Sequence, residues 1–277
     1  MQDYINYING TWEKASQSTI PINDAGFLLG DGLFETIRFD NRKIFQLNKH
    51  LERLHASLTV IHIHLEISNA EIRELLDKII QKNELQSGLL RLMVTRGNVK
   101  GPPWQYKGPA SIYINIRPLS PNPDLPVKVV FYSETKYPII RYTPAIKSLN
   151  YLGNMMAKKD ADNANAFEPV FYNVDGFITE CAIRNIFFIQ GKTLLTPSTK
   201  LGVLPGLMRN TIMSIAKESN LTVEEGNISI ESINGMDEAF ISSTGIGLLP
   251  CYWDGWQSDF TITLKLKKQL DRLINVT

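Results

Sequence analysis

Apolar and polar residues alternate in "DYINYING" and again in "FETIRFDNRKIFQL", which predicts half-buried strands, the second turning back at Asp40-Asn41 as a hairpin. The period then lengthens. In "NKHLERLHASLTVI" Leu51, Leu54 and Leu58 recur on one helical face. In "NAEIRELLDKIIQKN" Ile72, Leu75, Leu76 and Ile79 form a second apolar stripe behind a Ser68-Glu71 capping-box pattern. "GLLRLMVTRG" and "ASIYINIRP" return to strand-like runs. "LSPNPDLP" breaks every period with Pro121, Pro123 and Pro126, and predicts a linker over 119–126. It separates an N-terminal α/β domain, 1–118, from a C-terminal domain, 127–277.

Beyond the linker, "VKVVFY", "EPVFYNV", "NIFFIQG", "TLLTP", "DEAFISST" and "GLLPCYW" read as short strands. Helical spacing appears in "NYLGNMMAKKDADNA", "GLMRNTIMSIAKESN" and "TLKLKKQLDRLI". Strands in blocks with a few helices among them predict α+β rather than a regular βαβ alternation. GxGxxG after a strand, a Walker loop, zinc-spaced Cys or His pairs and internal repeats are all missing from the sequence, so neither a nucleotide nor a metal mechanism is expected.

Composition narrows the partners. With 29 basic and 28 acidic residues the formal net charge is +1, which predicts no general attraction to nucleic acid or a membrane surface. A small neutral or zwitterionic ligand is the simpler expectation. Two cysteines, Cys181 and Cys251, are too few for a disulfide framework and point to a reducing, cytoplasmic setting. "MQDYINYINGTWEKAS" has no secretory pattern, and no apolar run reaches membrane-spanning length.

Three features of the second half fit one chemistry. A lysine condenses with a carbonyl only as the free amine, which shielding from water favours, and Lys147 follows the apolar stretch "YPIIRYTPAI". Lys158 and Lys159, beside Asp160 and Asp162, are expected on a solvated helix face. In "DGFITECAIRNIFFI", Glu180 stands between a turn at Asp175-Gly176 and an apolar strand, where a carboxylate could keep a heterocyclic nitrogen protonated. In "TKLGVLPGLMRNTIM" a Pro205-Gly206 turn runs into a helix beginning near Leu207, whose free N–H groups suit a phosphate. "ISSTGIG" adds the hydroxyls of Ser243 and Thr244, and Arg53 in "HLERLHAS" could add a cation.

"GFLLGDGLFETIRF", "HLERLHAS", "RLMVTRG", "IKSLNYL", "ITECAIRNIFFI", "LGVLPGLMRN" and "ISSTG" stand in the order found in class IV (fold type IV) pyridoxal-phosphate enzymes, and over nearly its whole length the chain resembles them. That family includes branched-chain and D-amino-acid aminotransferases and aminodeoxychorismate lyase. The resemblance implies a small N-terminal and a larger strand-rich C-terminal domain, pyridoxal 5'-phosphate as cofactor, and a homodimer whose active site draws on the partner chain. It implies that Lys147 carries the cofactor as an imine and shuttles protons, and that Glu180 pairs with the pyridine nitrogen. It further implies that Arg53, Tyr151, the backbone of Leu207 and Met208, Ser243 and Thr244 complete the cofactor site. Phe34, in the "GDGLFE" stretch, would wall the substrate side, and Arg96 and Arg184 are candidate substrate contacts.

Departures from the family patterns bear on the substrate. The Pro-Arg-x-His carboxylate trap of D-amino-acid aminotransferases is absent from "TRGNVKGPPWQY", which disfavours that specificity. Tyr151 lies four residues beyond Lys147 rather than the five usual in branched-chain enzymes. Met208 and the Lys-x-x-Asn pattern ending at Asn150 look more like the lyase, whereas "SSTG" resembles the transaminases. The expectation is an aminotransferase acting on a branched-chain-like L-amino acid and a 2-oxo acid. The alternative is aminodeoxychorismate lyase, releasing pyruvate to form 4-aminobenzoate. A non-catalytic homologue is the weaker third reading.

Overall fold

The computed structural model describes residues 2–121, 123 and 125–276; Asn122 and Asp124 of the expected linker lie outside the described residues. The strands are β1 (Ile5–Ile8), β2 (Thr11–Lys14), β3 (Gly32–Asp40), β4 (Lys43–Ile44), β5 (Gly88–Thr95), β6 (Ser111–Pro118) and β7 (Val127–Ser133). They continue with β8 (Glu168–Tyr172), β9 (Ile178–Cys181), β10 (Asn185–Gln190), β11 (Thr193–Pro197), β12 (Thr222–Gly226), β13 (Glu238–Ser243) and β14 (Gly247–Tyr252). The helices are α1 (Ala25–Leu29), α2 (Leu47–Val60), α3 (Asn69–Asn83), α4 (Leu152–Asn163), α5 (Leu207–Glu218) and α6 (Thr261–Val276). The mixture is α+β, and the chain divides into two compact units.

Unit 1 comprises residues 1–120 and the short segment Ile146–Asn150. Its six-stranded sheet has the order β2-β1-β6-β5-β3-β4, each described pair antiparallel. Ile37 and Phe39 of β3, Leu90 and Leu92 of β5 and Ile114 of β6 are buried, as are the stripes Leu51, Leu54, Leu58 of α2 and Ile72, Leu76, Ile79 of α3. Ser68 caps α3 as the sequence predicts, accepting from Glu71 N while the Glu71 carboxylate accepts from Ser68 N. The hairpin between β3 and β4 turns through Asn41 and Arg42, both with positive φ.

Unit 2 comprises 121–145 and 151–276. Its sheet runs β12-β11-β10-β13-β14-β7-β8-β9, with β11/β12, β14/β7 and β7/β8 parallel. The sheet curls so that β9, at one end of that order, also neighbours β10. Val129, Val170, Ile186, Phe188, Ile241 and Leu249 pack in its core with the stacked pair Trp253 and Trp256 at the margin. The N-terminus of α6 is capped from the sheet: the buried Glu238 carboxylate accepts from Ile262 N and Thr263 N.

Candidate active site

Within unit 1 the "GDGLFE" stretch is fixed from below by Asp24. This buried carboxylate accepts from Gly26 N, Phe27 N, Thr95 Oγ1 and the Tyr113 hydroxyl, and so starts α1. Burial, reinforced by Asp24, pushes the Tyr113 hydroxyl well above the usual phenol range. The helix ends at Gly30 with φ +67, and a Cβ there would stand 2.2 Å from Asn150 Oδ1. Only glycine meets both demands. At five residues, α1 is too short to show a period in the sequence.

The same turn grips the second piece of unit 1. Asn150 Nδ2 donates to Gly30 O, Leu149 N to Gly32 O, and Phe34 N to Lys147 O, with Leu33 bridging Ser148 antiparallel. The backbone of Lys147 is therefore held along the start of β3. Its Nζ lies 4.5 Å from the Phe34 ring centroid, and Arg91 Cζ lies 4.2 Å from the same centroid. Arg91 escaped the sequence reading. Met93 pairs with Phe34 across β3 and β5, so Arg91, two residues along β5, shares its face.

Arg53, offered by the sequence as a cation, has a side chain only 12 % exposed. Its Nε donates to Glu35 Oε1 over 2.8 Å and Nη2 to Oε2 over 2.6 Å, while His50 Nδ1 lies 2.7 Å from Oε2. Burial alone would raise the Glu35 pKa, but the Arg53 charge and the His50 and Arg53 hydrogen bonds outweigh it and hold the carboxyl at about 2. Burial lowers the His50 pKa, the charges of Arg53 and Lys147 add to this, and Glu35 opposes it. An ionised Glu35 only accepts, so the imidazole carries its proton on Nδ1.

Arg96 is placed differently from a side chain that reaches outward for substrate. Nε and Nη2 donate to Asp31, and Nη1 and Nη2 to the carbonyls of His62 and Ile61. It secures the Gly30–Gly32 turn to the end of α2.

In unit 2, Glu180 on β9 receives a hydrogen bond from Arg141 Nη1. Arg141 also donates through Nε and Nη2 to Glu134 and through Nη2 to Thr179 Oγ1. Burial would lower the Arg141 pKa, but the flanking Glu180 and Glu134 carboxylates reverse this and raise it. Arg141 and Glu134 lie far from Glu180 in sequence, and no local pattern announced them.

The Gly206 turn leads into α5 with no side chain capping the helix. A Cβ on Gly206 would come within 2.3 Å of Asn185 Oδ1, and Asn185 Nδ2 donates to Ser242 O and Oγ. Asn185, not anticipated from sequence, is bonded to the end of β13, next to Ser243 and Thr244, and packs closely against the Gly206 backbone at the start of α5. Uncapped N–H groups of Leu207 and Met208 beside two small hydroxyl residues fit a phosphate group. Tyr151, half-buried, immediately precedes α4.

Arg184 turns inward. It pairs through Nη1 with Glu168, whose side chain is fully buried, and its guanidinium lies 4.4 Å from the Phe167 ring centroid. Burial raises the Glu168 pKa against the opposing charges of Arg184 and Lys158. The solvated-face reading of Lys158 is corrected accordingly: its side chain is 29 % exposed, donates to Phe167 O and stands 3.8 Å from Glu168. The burial lowers its pKa. Lys159 is exposed.

Comparison with known proteins assigns the class. A family model for class IV amino-transferases matches residues 32–252. The chain belongs to the class IV aminotransferase family. A D-alanine aminotransferase of Listeria monocytogenes is 32 % identical over 251 residues, which cover 88 % of this chain and 85 % of that one. The aminodeoxychorismate lyase of Bacillus subtilis is 32 % identical over 252 residues, covering 88 % and 84 %. The solved branched-chain amino acid aminotransferase of Escherichia coli superposes with a TM-score of 0.88 at 24 % identity, covering 99 % of this chain and 96 % of that one. Such a level of identity assigns the fold, which is that of a class IV enzyme. This class IV chain is therefore an aminotransferase or a lyase of the same family, and relatives at 32 % identity carry both kinds of name. Among the described residues no group of three or more His, Cys, Asp or Glu could hold a metal ion, and no helix is long and apolar enough to cross a membrane.

Proposed function

We propose that the protein is a pyridoxal-phosphate-dependent aminotransferase that moves an amino group between a branched-chain-like L-amino acid and a 2-oxo acid, with Lys147 as the reactive amine. The observation that carries this reading is the double hold on the 146–150 segment, which sets Lys147 Nζ against Phe34 while its backbone is bonded to β3. Pyridoxal phosphate, when bound, supplies an aldehyde for amine exchange and a ring that takes up the electron pair released at the substrate Cα. Lys147 would hold the cofactor through Nζ, and the same amine, freed when the substrate amine takes its place, would carry the proton at the substrate Cα. Glu180, anchored by Arg141, holds a proton at the ring nitrogen. Arg53, the N–H groups of Leu207 and Met208, and the hydroxyls of Ser243 and Thr244 bind the phosphate, with Tyr151 completing the cofactor set. Phe34 walls the substrate, and the Arg91 guanidinium beside it offers a cation to a carboxylate. Arg96 and Arg184 act from behind: one secures the Gly30–Gly32 turn and the other the strands next to Glu180.

A homodimer in a reducing, cytoplasmic setting completes the reading. Phe27, Leu28 and Leu29 of α1 are each more than half exposed, as an interface helix would be in a single chain, and both cysteines are buried free thiols. The second reading, aminodeoxychorismate lyase, is favoured by the Bacillus subtilis relative. A screen of L- and D-amino acids for conversion of the bound cofactor's visible spectrum, run beside a pyruvate-release assay with aminodeoxychorismate, separates them. Conversion by branched-chain L-amino acids without pyruvate release is expected. Pyruvate release as the main activity would replace the aminotransferase reading by the lyase, and conversion by D-amino acids alone would replace the substrate.

A further inference from the structure

Glu35 is a charged side chain placed where β3 would ordinarily carry an apolar residue. It is 1 % exposed, on the face of β3 that also buries Ile37 and Phe39, and its two oxygens accept from His50 and twice from Arg53. A buried ion pair contributes little net stability compared with apolar packing, because desolvation of both charges offsets their attraction. Orientation is what such a pair supplies. The guanidinium is a rigid plane, and two parallel bonds to one carboxylate leave it neither rotation nor swing. Glu35 engages Nε and Nη2, and the exposure remaining in the pair, 12 % against 1 %, belongs to the arginine. His50 holds the carboxylate in turn. It stands one helical turn before Arg53 on α2, so both grip Glu35 from the same helix face.

We propose that Glu35 and His50 are positioning residues for Arg53, holding its guanidinium in a fixed plane so that it meets a phosphomonoester dianion already oriented. The inference rests on the reading of Arg53 as part of the phosphate-binding set. Two effects compete. The Glu35 charge weakens the attraction of Arg53 for any anion, whereas its two hydrogen bonds remove the cost of ordering a long, rotamer-rich side chain on binding. Charge neutralisation predicts tighter phosphate binding when Glu35 is made neutral, and pre-organisation predicts weaker binding.

The test titrates the apo form of the full chain with pyridoxal phosphate and, separately, with pyridoxal, which lacks the phosphate, following tryptophan fluorescence. The ratio of the two affinities isolates the phosphate contacts from folding and from ring contacts. Glu35→Gln is expected to lower the ratio roughly tenfold with pyridoxal affinity unchanged, His50→Gln by a smaller factor, and Arg53→Ala by at least as much as Glu35→Gln. An unchanged or raised ratio in Glu35→Gln, with Arg53→Ala still lowering it, overturns the positioning role and leaves Arg53 at the phosphate. An unchanged ratio in Arg53→Ala removes Arg53 from the phosphate site and the proposal with it. If Glu35→Gln does not fold, as judged by circular dichroism, Glu35→Asp keeps the charge but shortens the reach, and a ratio equal to wild type in that variant overturns the proposal equally.

Discussion

Lys147, Lys158 and Lys159 are one residue type in one stretch of sequence, and their surroundings divide them. Lys147 is bonded through its backbone to β3 and set against an aromatic ring; Lys158 is half-buried on Glu168; Lys159 is exposed. Lys147→Ala is expected to abolish the visible absorbance that the wild type develops with pyridoxal phosphate, whereas Lys158→Ala and Lys159→Ala keep it. A band retained in Lys147→Ala would remove that lysine from the chemistry. Lys158→Ala should melt below wild type for a separate reason, the loss of a cation beside a buried carboxylate. Arg184→Ala should cost about 3–5 kcal/mol of stability by stranding Glu168, with the substrate KM near wild type in the folded fraction. A large rise in KM without a drop in melting temperature would instead make Arg184 a substrate contact. Charged residues such as these were visible in the sequence as letters, but their burial was not, because the pairs Arg141–Glu180 and Arg53–Glu35 are made between distant elements.

At the scale of elements, periodicity carried most of the strands and long helices. Four pieces escaped it, β2, β9, β12 and α1, which are four or five residues long and leave no room for a period. The Gly206 turn and α5 were legible because glycine before an apolar-periodic run is a local signal; the close approach of Asn185 to Gly206 was not. Gly206→Ala should drive a methyl group into Asn185 Oδ1, displace the Asn185–Ser242 bonds, and weaken pyridoxal phosphate binding by about tenfold. Equilibrium titration against wild type checks this, and equal affinity would show that the turn does not depend on its glycine. The β3–α2 pairing also sets an acid response. The His50 pKa lies below its ordinary 6.5, so the unfolded chain takes up a proton there that the folded chain refuses, and stability begins to fall below about pH 6.5. The Glu35 pKa is depressed from 4.5 to about 2, so its contribution is complete above 4.5 and is lost as pH falls toward 2. That loss is on the order of 3 kcal/mol. Melting curves taken from pH 7 down to 3 should slope less steeply for Glu35→Gln than for wild type, and parallel slopes would contradict the assignment.

For the molecule as a whole, the α+β class could be read from the chain, since it follows from local pattern. The membership of residues 146–150 could not. Nothing in "AIKSLN" announces that it leaves its sequence neighbours; backbone bonds to Gly32 and Phe34 and the Asn150 side chain on Gly30 O draw it into unit 1. Unit 1 is consequently discontinuous, and this has a meaning in the time order of synthesis. A ribosome finishes the six strands of the first sheet and must still make Pro121–Ala145, the first part of the other unit, before it releases the short segment that lies along β3. Lys147, the proposed reactive amine, thus arrives with the late-made segment of its unit, and a nascent chain carries Phe34 before it carries that amine.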